Sequence, residues 1–229
     1  MNIVCITHAD FETPGIIENW AKERDHNFKI VKPYRGESLT SIENFDFLII
    51  MGGPQSAVKV NEFPYLQSEI TLIQEAIRQD KKIIGFCLGA QLIGTALGAS
   101  PSRSPEKEIG VFPITLTHDG KRDKFLEGLP NSFPVIHWHN DMPGLTQNAA
   151  LLAFSEGCPR QIIRYLPKVY GFQCHLEITL DGIQTMIECA GEDLSPSKFT
   201  QTTNALIEQD YNSINRILIQ ILDKFEIYF

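Results

Sequence analysis

Two long apolar runs, each ending at glycine or cysteine, constrain the fold of this chain more than any other feature. The first is FDFLIIM at residues 45–51, which leads into Gly52 and Gly53, and the second is KIIGF at residues 82–86, which leads into Cys87. Strands that are apolar on both faces are typical of parallel sheets covered by helices. The amphipathic segment between the two runs predicts a connecting helix, and therefore a βαβ unit.

The first half of the chain continues this pattern, whereas the second half consists of shorter runs. Residues 2–7 and 28–31 predict two more buried strands, with a helix through Trp20 between them. Helical periodicity returns at residues 206–225. Beyond Gly98, short apolar or alternating runs predict strands, some of them antiparallel, at residues 111–117, 133–138, 149–154, 161–165 and 169–174. We expect a three-layer α/β/α fold with a largely parallel central sheet and some antiparallel strands in the second half.

Composition is that of an ordinary globular protein. Of 229 residues, 43% are hydrophobic and 21% are charged, which leaves room for a sizeable core. No linker, repeat or low-complexity tract is visible, so we predict a single domain over residues 1–229 with a helical extension from about residue 191. The net charge of −8 is spread along the chain without a basic stripe. This argues against nucleic acid as a partner.

The apolar residues and cysteines also bear on location. The longest apolar stretch, residues 83–99, is broken by glycines and polar residues and is too short to span a bilayer, so no membrane partner is predicted. The N-terminal residues MNIVCITHAD lack the basic start and cleavage site of a secretory signal. Five widely spaced cysteines are typical of reduced thiols, which predicts a cytoplasmic protein without a structural zinc.

The pentapeptide GFCLG lies where a predicted buried strand meets a predicted helix, with Cys87 at its centre. This is the G-x-nucleophile-x-G form of a nucleophile elbow, with cysteine in place of serine. The glycines permit a sharp turn, and the adjoining helix N-terminus favours the thiolate, which is the reactive form. The alternative is that Cys87 is a small buried apolar residue, the common role of a free cysteine.

Two further segments favour the nucleophile. His175 and Glu177 follow the apolar strand YGFQC, at the sheet edge where open α/β folds gather their ligands. A histidine that acts as a base needs a third group to orient it, and Glu177 is placed to do so. Gly53 follows another buried strand, and its N–H together with that of Leu88 could hold an oxyanion. The competing interpretations are a surface His–Glu pair and a simple Gly-Gly-Pro turn.

The chain resembles the class I glutamine amidotransferases, specifically stand-alone relatives of the glutaminase domain of GMP synthase, in MGGPQS, GFCLGAQLIGTALGA, EKEIGVFPITLT, HWHND and YGFQCHLE. The likeness extends from Met1 to about Met186. It implies a catalytic triad and an oxyanion hole made of backbone amides, without metal or organic cofactor. By matching motif, the triad residues are Cys87, His175 and Glu177, the oxyanion amides are Gly53 and Leu88, and the glutamine contacts are Gln91, His139 and Asn140.

Two details of these segments bear on the site. The family usually has His-Pro-Glu where this chain has His175, Leu176 and Glu177, so a conformational restraint on His175 is missing. His137 and His139 alternate along HWHND without an evident third ligand. We therefore assign both histidines to a pocket wall and predict no metal site.

The resemblance implies that the Cys87 thiolate attacks the side-chain amide of glutamine, releasing ammonia and then glutamate through a γ-glutamyl thioester. The chain has no phosphate-cradling loop of the form G-x-x-x-x-G-K-[ST], so we expect a separate synthase subunit to activate the ammonia acceptor. A homodimer is compatible with the sequence. Two alternatives stay open: a stand-alone γ-glutamyl hydrolase or peptidase, and a non-catalytic regulatory subunit that retains the fold.

Overall fold

The computed structural model describes residues 1–228 as a ten-stranded sheet with helices on both faces. The strands are β1 (Asn2–Ile6), β2 (Asn27–Val31), β3 (Phe47–Ile50), β4 (Lys82–Phe86), β5 (Ser102–Leu116), β6 (Ser132–Met142), β7 (Ala150–Phe154), β8 (Ile162–Leu166), β9 (Val169–Phe172) and β10 (Phe199–Thr200). The α-helices are α1 (Ile16–Glu23), α2 (Pro64–Arg78), α3 (Leu88–Ala96), α4 (His118–Arg122), α5 (Leu180–Ala190), α6 (Thr203–Ile207) and α7 (Tyr211–Tyr228). No helix within these residues is long and apolar enough to cross a membrane.

The strand order divides the sheet into a parallel half and an antiparallel half. The order is β10-β5-β7-β8-β9-β4-β3-β1-β2, with β6 paired to β5. Neighbouring strands from β9 to β2 run parallel, whereas β5, β7, β8 and β9 pair antiparallel, as do β5 and β6. The predicted fold class, a largely parallel sheet with antiparallel strands in the second half of the chain, is confirmed.

Apolar side chains are buried on both faces of the parallel half, which explains the unbroken hydrophobic runs. On β3, Phe47 and Ile49 face the layer that contains α1, α5 and α7. Leu48 and Ile50 face the opposite layer, which contains α2 and α3. The segment after residue 191 is part of the same assembly, because β10 pairs with β5 and Phe225 of α7 stacks on Phe125 with ring centroids 4.0 Å apart.

The sequence pattern does not predict three features of the second half. β5 begins at Ser102 rather than near residue 111, because its first residues are polar and gain their strand geometry from pairing with β6. Helix α5 buries only Ile183 and Met186, too few for a clear apolar period, and is capped by Thr179. The final helix starts at Tyr211 instead of residue 206, since the preceding turn breaks the helical segment.

Four neighbouring strands of the parallel half end at the edge of the sheet that carries the candidate site. β9, β4, β3 and β1 are neighbours in that order and share one direction. The loops that follow them therefore meet at the carboxyl edge, where open α/β folds bind ligands. These loops carry the candidate residues of the site.

Candidate active site

Cys87 lies between β4 and α3 in a backbone conformation that few non-glycine residues adopt. Its φ is 49° and its ψ is −106°. Such conformations cost on the order of 1–3 kcal/mol and persist where the surrounding structure imposes them. A β-carbon on Gly85 would overlap the backbone of Gly89, and one on Gly89 would overlap the carbonyl of Ile50. Both glycines of the pentapeptide are thus needed for the sharp turn that exposes the Cys87 side chain.

His175 and Glu177 are buried next to the elbow and contact each other. Nδ1 of His175 lies 2.6 Å from Oε1 of Glu177, and the backbone N–H of Leu176 donates to Oε2 of the same carboxylate at 2.9 Å. Burial alone would lower the pKa of His175, but the charge of Glu177 and the interaction with the Cys87 thiol raise it well above its usual value. The carboxylate of Glu177 thus stabilises the imidazolium form of His175.

The turn that carries His175 is held from the far end of the chain. Nδ2 of Asn215, on α7, donates to the carbonyl of Leu176 at 2.7 Å and to that of Ile178 at 3.0 Å. Asn215 is buried. The family's proline would have no N–H to give to Glu177, so Leu176 replaces a restraint on the backbone with a hydrogen bond to the carboxylate.

The amides of Gly53 and Leu88 both border the cavity that contains Cys87. Neither N–H donates a hydrogen bond to a protein group within residues 1–228. The carbonyl of Gly52 accepts a hydrogen bond from Nδ1 of His8 at 2.9 Å. Because the C=O and N–H of a trans peptide point in opposite directions, this bond turns the N–H of Gly53 away from His8.

His8 is itself fixed by a buried carboxylate. Its Nε2 lies 2.8 Å from Oε2 of Glu69, and both side chains are fully buried. Burial alone would lower the pKa of His8, but the hydrogen bond and charge of Glu69 raise it. Since both ring nitrogens face oxygen acceptors, the doubly protonated ring satisfies the contacts with Glu69 and Gly52.

Glu12 is a second carboxyl group at the site that the sequence does not single out. It borders the cavity together with His175. Burial raises the pKa of Glu12 to about 7, although the nearby charges of His175 and His8 oppose the shift. Glu12 lies in the loop after β1, which contains no recognisable motif. Its place at the site is apparent only once β1 is known to end beside β3 and β4.

The cavity above Cys87 has a volume of about 250 Å³ and contains all three predicted substrate contacts in its wall. Nε2 of Gln91 donates to Oε1 of Gln173 at 3.0 Å, and Nε2 of Gln173 donates to the Cys87 sulfur at 3.4 Å. Asn140 borders the cavity, whereas Nε2 of His139 is turned towards Glu108, 3.2 Å away. Gln173 is a contact of the candidate nucleophile that sequence reasoning missed.

The assumption that His137 and His139 lack a third ligand is wrong. Glu108 on β5 is paired with His139 on β6, and its carboxylate approaches both histidines. These three side chains are the only cluster within residues 1–228 with the composition and spacing of a metal site. Burial lowers the pKa of His137 to about 3, so this ring is neutral at physiological pH.

Comparisons with known proteins bear on the identity of this site. The family model "Glutamine amidotransferase class-I" matches residues 13–188. The glutamine amidotransferase-like protein YfeJ of Salmonella typhimurium is 41% identical over 231 aligned positions, which cover 98% of this chain and 97% of that protein. The glutamine-hydrolyzing GMP synthase of Borreliella burgdorferi is 34% identical over 183 positions, 78% of this chain but 34% of that enzyme. A crystal structure of a glutamine amidotransferase from Thermotoga maritima matches with a TM-score of 0.89 at 26% identity, covering 98% of this chain and 97% of that one.

Proposed function

Because this chain belongs to the class I glutamine amidotransferases, we propose that it hydrolyses the side-chain amide of glutamine through a thioester on Cys87 and supplies the ammonia to a separate synthase. The observation that carries the proposal is the strained elbow at Cys87 beside a histidine oriented by a buried carboxylate. A nucleophile, a base and a group that orients the base are the diagnostic arrangement for covalent catalysis of this type.

In the first half-reaction, His175 holds the proton of the Cys87 thiol while the sulfur attacks the carboxamide carbon of glutamine. The same proton passes from His175 to the departing ammonia, which leaves a γ-glutamyl thioester. In the second half-reaction, the neutral imidazole activates a water molecule that releases glutamate. Glu177 keeps the ring in the orientation that both transfers need, since its carboxylate accepts from Nδ1.

Each tetrahedral intermediate carries an oxyanion, for which the N–H groups of Gly53 and Leu88 are the candidate donors. In this proposal His8 is a positioning residue, because its bond to the Gly52 carbonyl sets the direction of the Gly53 N–H. Rotation of the peptide between Gly52 and Gly53 would break that bond. A synthase that alters the loop after β3 could therefore switch the oxyanion hole on or off.

The mouth of the cavity offers opposite charges for the α-amino and α-carboxylate groups of glutamine. Nη1 of Arg103 lies 3.4 Å from Oδ1 of Asp141, and both residues border the cavity. Gln91 and Asn140 offer amide groups in the wall of the same cavity. A larger γ-glutamyl compound would use the same α-substituents, so the stand-alone hydrolase stays the alternative.

The ammonia acceptor is proposed to lie on another polypeptide. This chain matches about a third of the length of the Borreliella GMP synthase, so most of that enzyme has no counterpart here. A cytoplasmic location and a homodimer stay predictions. So does the division of the chain into one domain with a C-terminal extension.

The decisive experiment measures glutamate and ammonia released from glutamine by the purified chain, alone and with synthases encoded beside it. Cys87→Ala should reduce turnover at least about ten-thousandfold, because the nucleophile is lost. Cys189→Ala is the matched control, since that thiol is exposed and lies on α5 rather than at the elbow. Mass spectrometry of acid-quenched wild-type enzyme should detect a glutamyl adduct on Cys87.

Substrate choice separates the proposal from its alternatives. Rapid turnover of γ-glutamyl peptides, with slow turnover of glutamine under every condition, would favour the hydrolase. A chain that forms no adduct with glutamine, γ-glutamyl peptides or a reactive glutamine analogue would favour the non-catalytic subunit.

A further inference from the structure

A buried group of polar side chains lies directly behind the cavity wall formed by β6. We refer to Glu108, His137, His139 and Gln161 as the β5–β6 cluster, and all four side chains are buried. Its three acidic or imidazole members come from the paired strands β5 and β6, whereas Gln161 precedes β8. His139 also lines the cavity, but the proposed hydrolysis assigns no role to the contacts that join these four side chains.

The three distances among Glu108, His137 and His139 are longer than ordinary hydrogen bonds, although Oε2 of Glu108 also accepts 2.8 Å hydrogen bonds from Ser155 and Gln161. Oε2 of Glu108 lies 3.5 Å from Nδ1 of His137 and 3.2 Å from Nε2 of His139, and the two ring nitrogens are 3.4 Å apart. Hydrogen bonds between nitrogen and oxygen most often measure about 2.9–3.0 Å. Ligands at the corners of a tetrahedron around Zn²⁺, at bonds of about 2.0–2.2 Å, are separated by about 3.3–3.6 Å.

The orientation of His137 is also that of a metal ligand. Its Nε2 lies 3.3 Å from the carbonyl oxygen of Phe112, so the ring can donate there and leave Nδ1 as a lone pair directed at the cluster. Metal-binding histidines commonly give their second N–H to a backbone carbonyl in this way.

Gln161 can supply the fourth corner. Its Nε2 lies 3.3 Å from each of the two ring nitrogens and 2.8 Å from Oε2 of Glu108. Its Oε1 is buried without a hydrogen-bond partner. A half-turn of the amide would bring Oε1 to the position of Nε2, where an oxygen faces the other three ligand atoms and completes a tetrahedron.

We propose that Glu108, His137, His139 and Gln161 form a closed tetrahedral site for Zn²⁺. Two imidazoles and a carboxylate are a donor set that zinc accepts, and four protein ligands leave no open position for water or substrate. The site is therefore structural rather than catalytic. Its ion ties β5 to β6 next to Trp138, whose carbonyl oxygen lies 3.9 Å from the Cys87 sulfur, and so steadies one wall of the cavity.

Zinc binding is tested on the intact chain carrying Cys87→Ala, with the remaining accessible thiols alkylated, so that sulfur does not contribute. Elemental analysis and competition with a chromophoric chelator measure stoichiometry and affinity. We expect one Zn²⁺ per chain and a loss of affinity of at least about a hundredfold on adding His137→Gln or Glu108→Gln, since even outer-shell substitutions cost 10–100-fold. His118→Gln is the control, because that histidine is exposed on α4, and it should leave binding unchanged.

Two results would overturn the proposal. One is the absence of stoichiometric zinc binding to the Cys87→Ala chain, together with a melting temperature that does not differ between added zinc and added chelator. The other is binding that survives both ligand substitutions. If the ligand variants fail to fold, the Cys87→Ala chain alone decides, because Co²⁺ in a tetrahedral site must give visible d–d bands that one equivalent of Zn²⁺ abolishes. These readouts do not depend on glutamine hydrolysis.

Discussion

The elbow at Cys87 and the turn that carries His175 hold adjacent members of the same candidate triad by different means. The elbow is shaped by residues within two positions of the cysteine, because Gly85 and Gly89 remove the side chains that would block it. The turn is held by Asn215, whose amide binds the carbonyls of Leu176 and Ile178 from α7. The turn at the candidate nucleophile thus requires glycines within two positions of it, whereas the turn at the candidate base is held by a residue about forty positions away.

The loop after β3, which carries the candidate oxyanion donor Gly53, also depends on contacts with distant residues. Gly52 and Gly53 are local requirements, yet the direction of their shared peptide is set by His8, 44 residues earlier. Glu69, on α2, in turn orients His8. If catalysis proceeds as proposed, substitution of His8 should impair the oxyanion hole, and substitution of Asn215 should impair the positioning of His175.

Among substitutions at the long-range contacts, the largest effect is expected for His8→Leu, which removes the donor to the Gly52 carbonyl. A misdirected Gly53 N–H should cost about 2.7–4 kcal/mol of transition-state stabilisation, or roughly a hundred- to thousandfold in kcat, with little change in KM. His8→Asn, which can still donate, should restore part of kcat. The measurement is steady-state glutamine hydrolysis at saturating substrate.

A merely structural His8 would give another outcome. Its replacement would then lower the unfolding midpoint and the fraction of active enzyme, while kcat per titrated active site would be unchanged. Active-site titration with a reactive glutamine analogue that labels Cys87 distinguishes the two.

Asn215→Ala tests the other long-range contact. It leaves the buried carbonyls of Leu176 and Ile178 without their donor, which should destabilise the fold by about 1–3 kcal/mol. A looser turn should also lower kcat by about tenfold. Asn212→Ala is the matched control on the same helix, since its side chain is exposed. Urea unfolding and glutamine hydrolysis are measured for both; equal effects of the two substitutions would contradict a specific role for Asn215.

The smallest effect concerns Glu12 and depends on pH. Its pKa is about 7 in the folded protein and near 4.5 when unfolded, so folding disfavours its charged form. The wild type should lose stability as pH rises from about 4.5 to 7 and show no further loss from this group above 7. A shift of one pKa unit corresponds to about 1.4 kcal/mol of unfolding free energy. Because the Glu12 side chain is partly exposed, we expect a total loss of about 1–3 kcal/mol.

Glu12→Gln should remove that loss. The variant should match the wild type near pH 4 and be more stable at pH 8, as measured by urea unfolding across this range. Glu18→Gln, at an exposed position on α1, should follow the wild-type curve. A stability gain that is equal at both pH values would show that the carboxyl group does not titrate as described.

The contrast between local and long-range control explains which features the sequence reveals. β3 and β4 are predictable because burial on both faces leaves an unbroken apolar run, and the bend at Cys87 is predictable because it requires nearby glycines. Glu108 escapes detection because its relation to His139 is set by the register of β5 on β6. Asn215 escapes because one polar residue in an amphipathic helix has no pattern that identifies its partner.

Because the turn after His175 is held by Asn215 of α7, we expect the parts of the candidate site to become structured in a fixed order during synthesis. During synthesis the glycines of the elbow emerge together with Cys87, but the Phe172 carbonyl that accepts from the Cys87 N–H at 2.7 Å is made later, as is His175. Even after His175 emerges, its turn lacks support until Asn215 has left the ribosome and α7 can dock. Since domains acquire their packed structure only as their segments become available, a nascent chain would carry its candidate nucleophile in an inactive form until α7 has been translated and has docked.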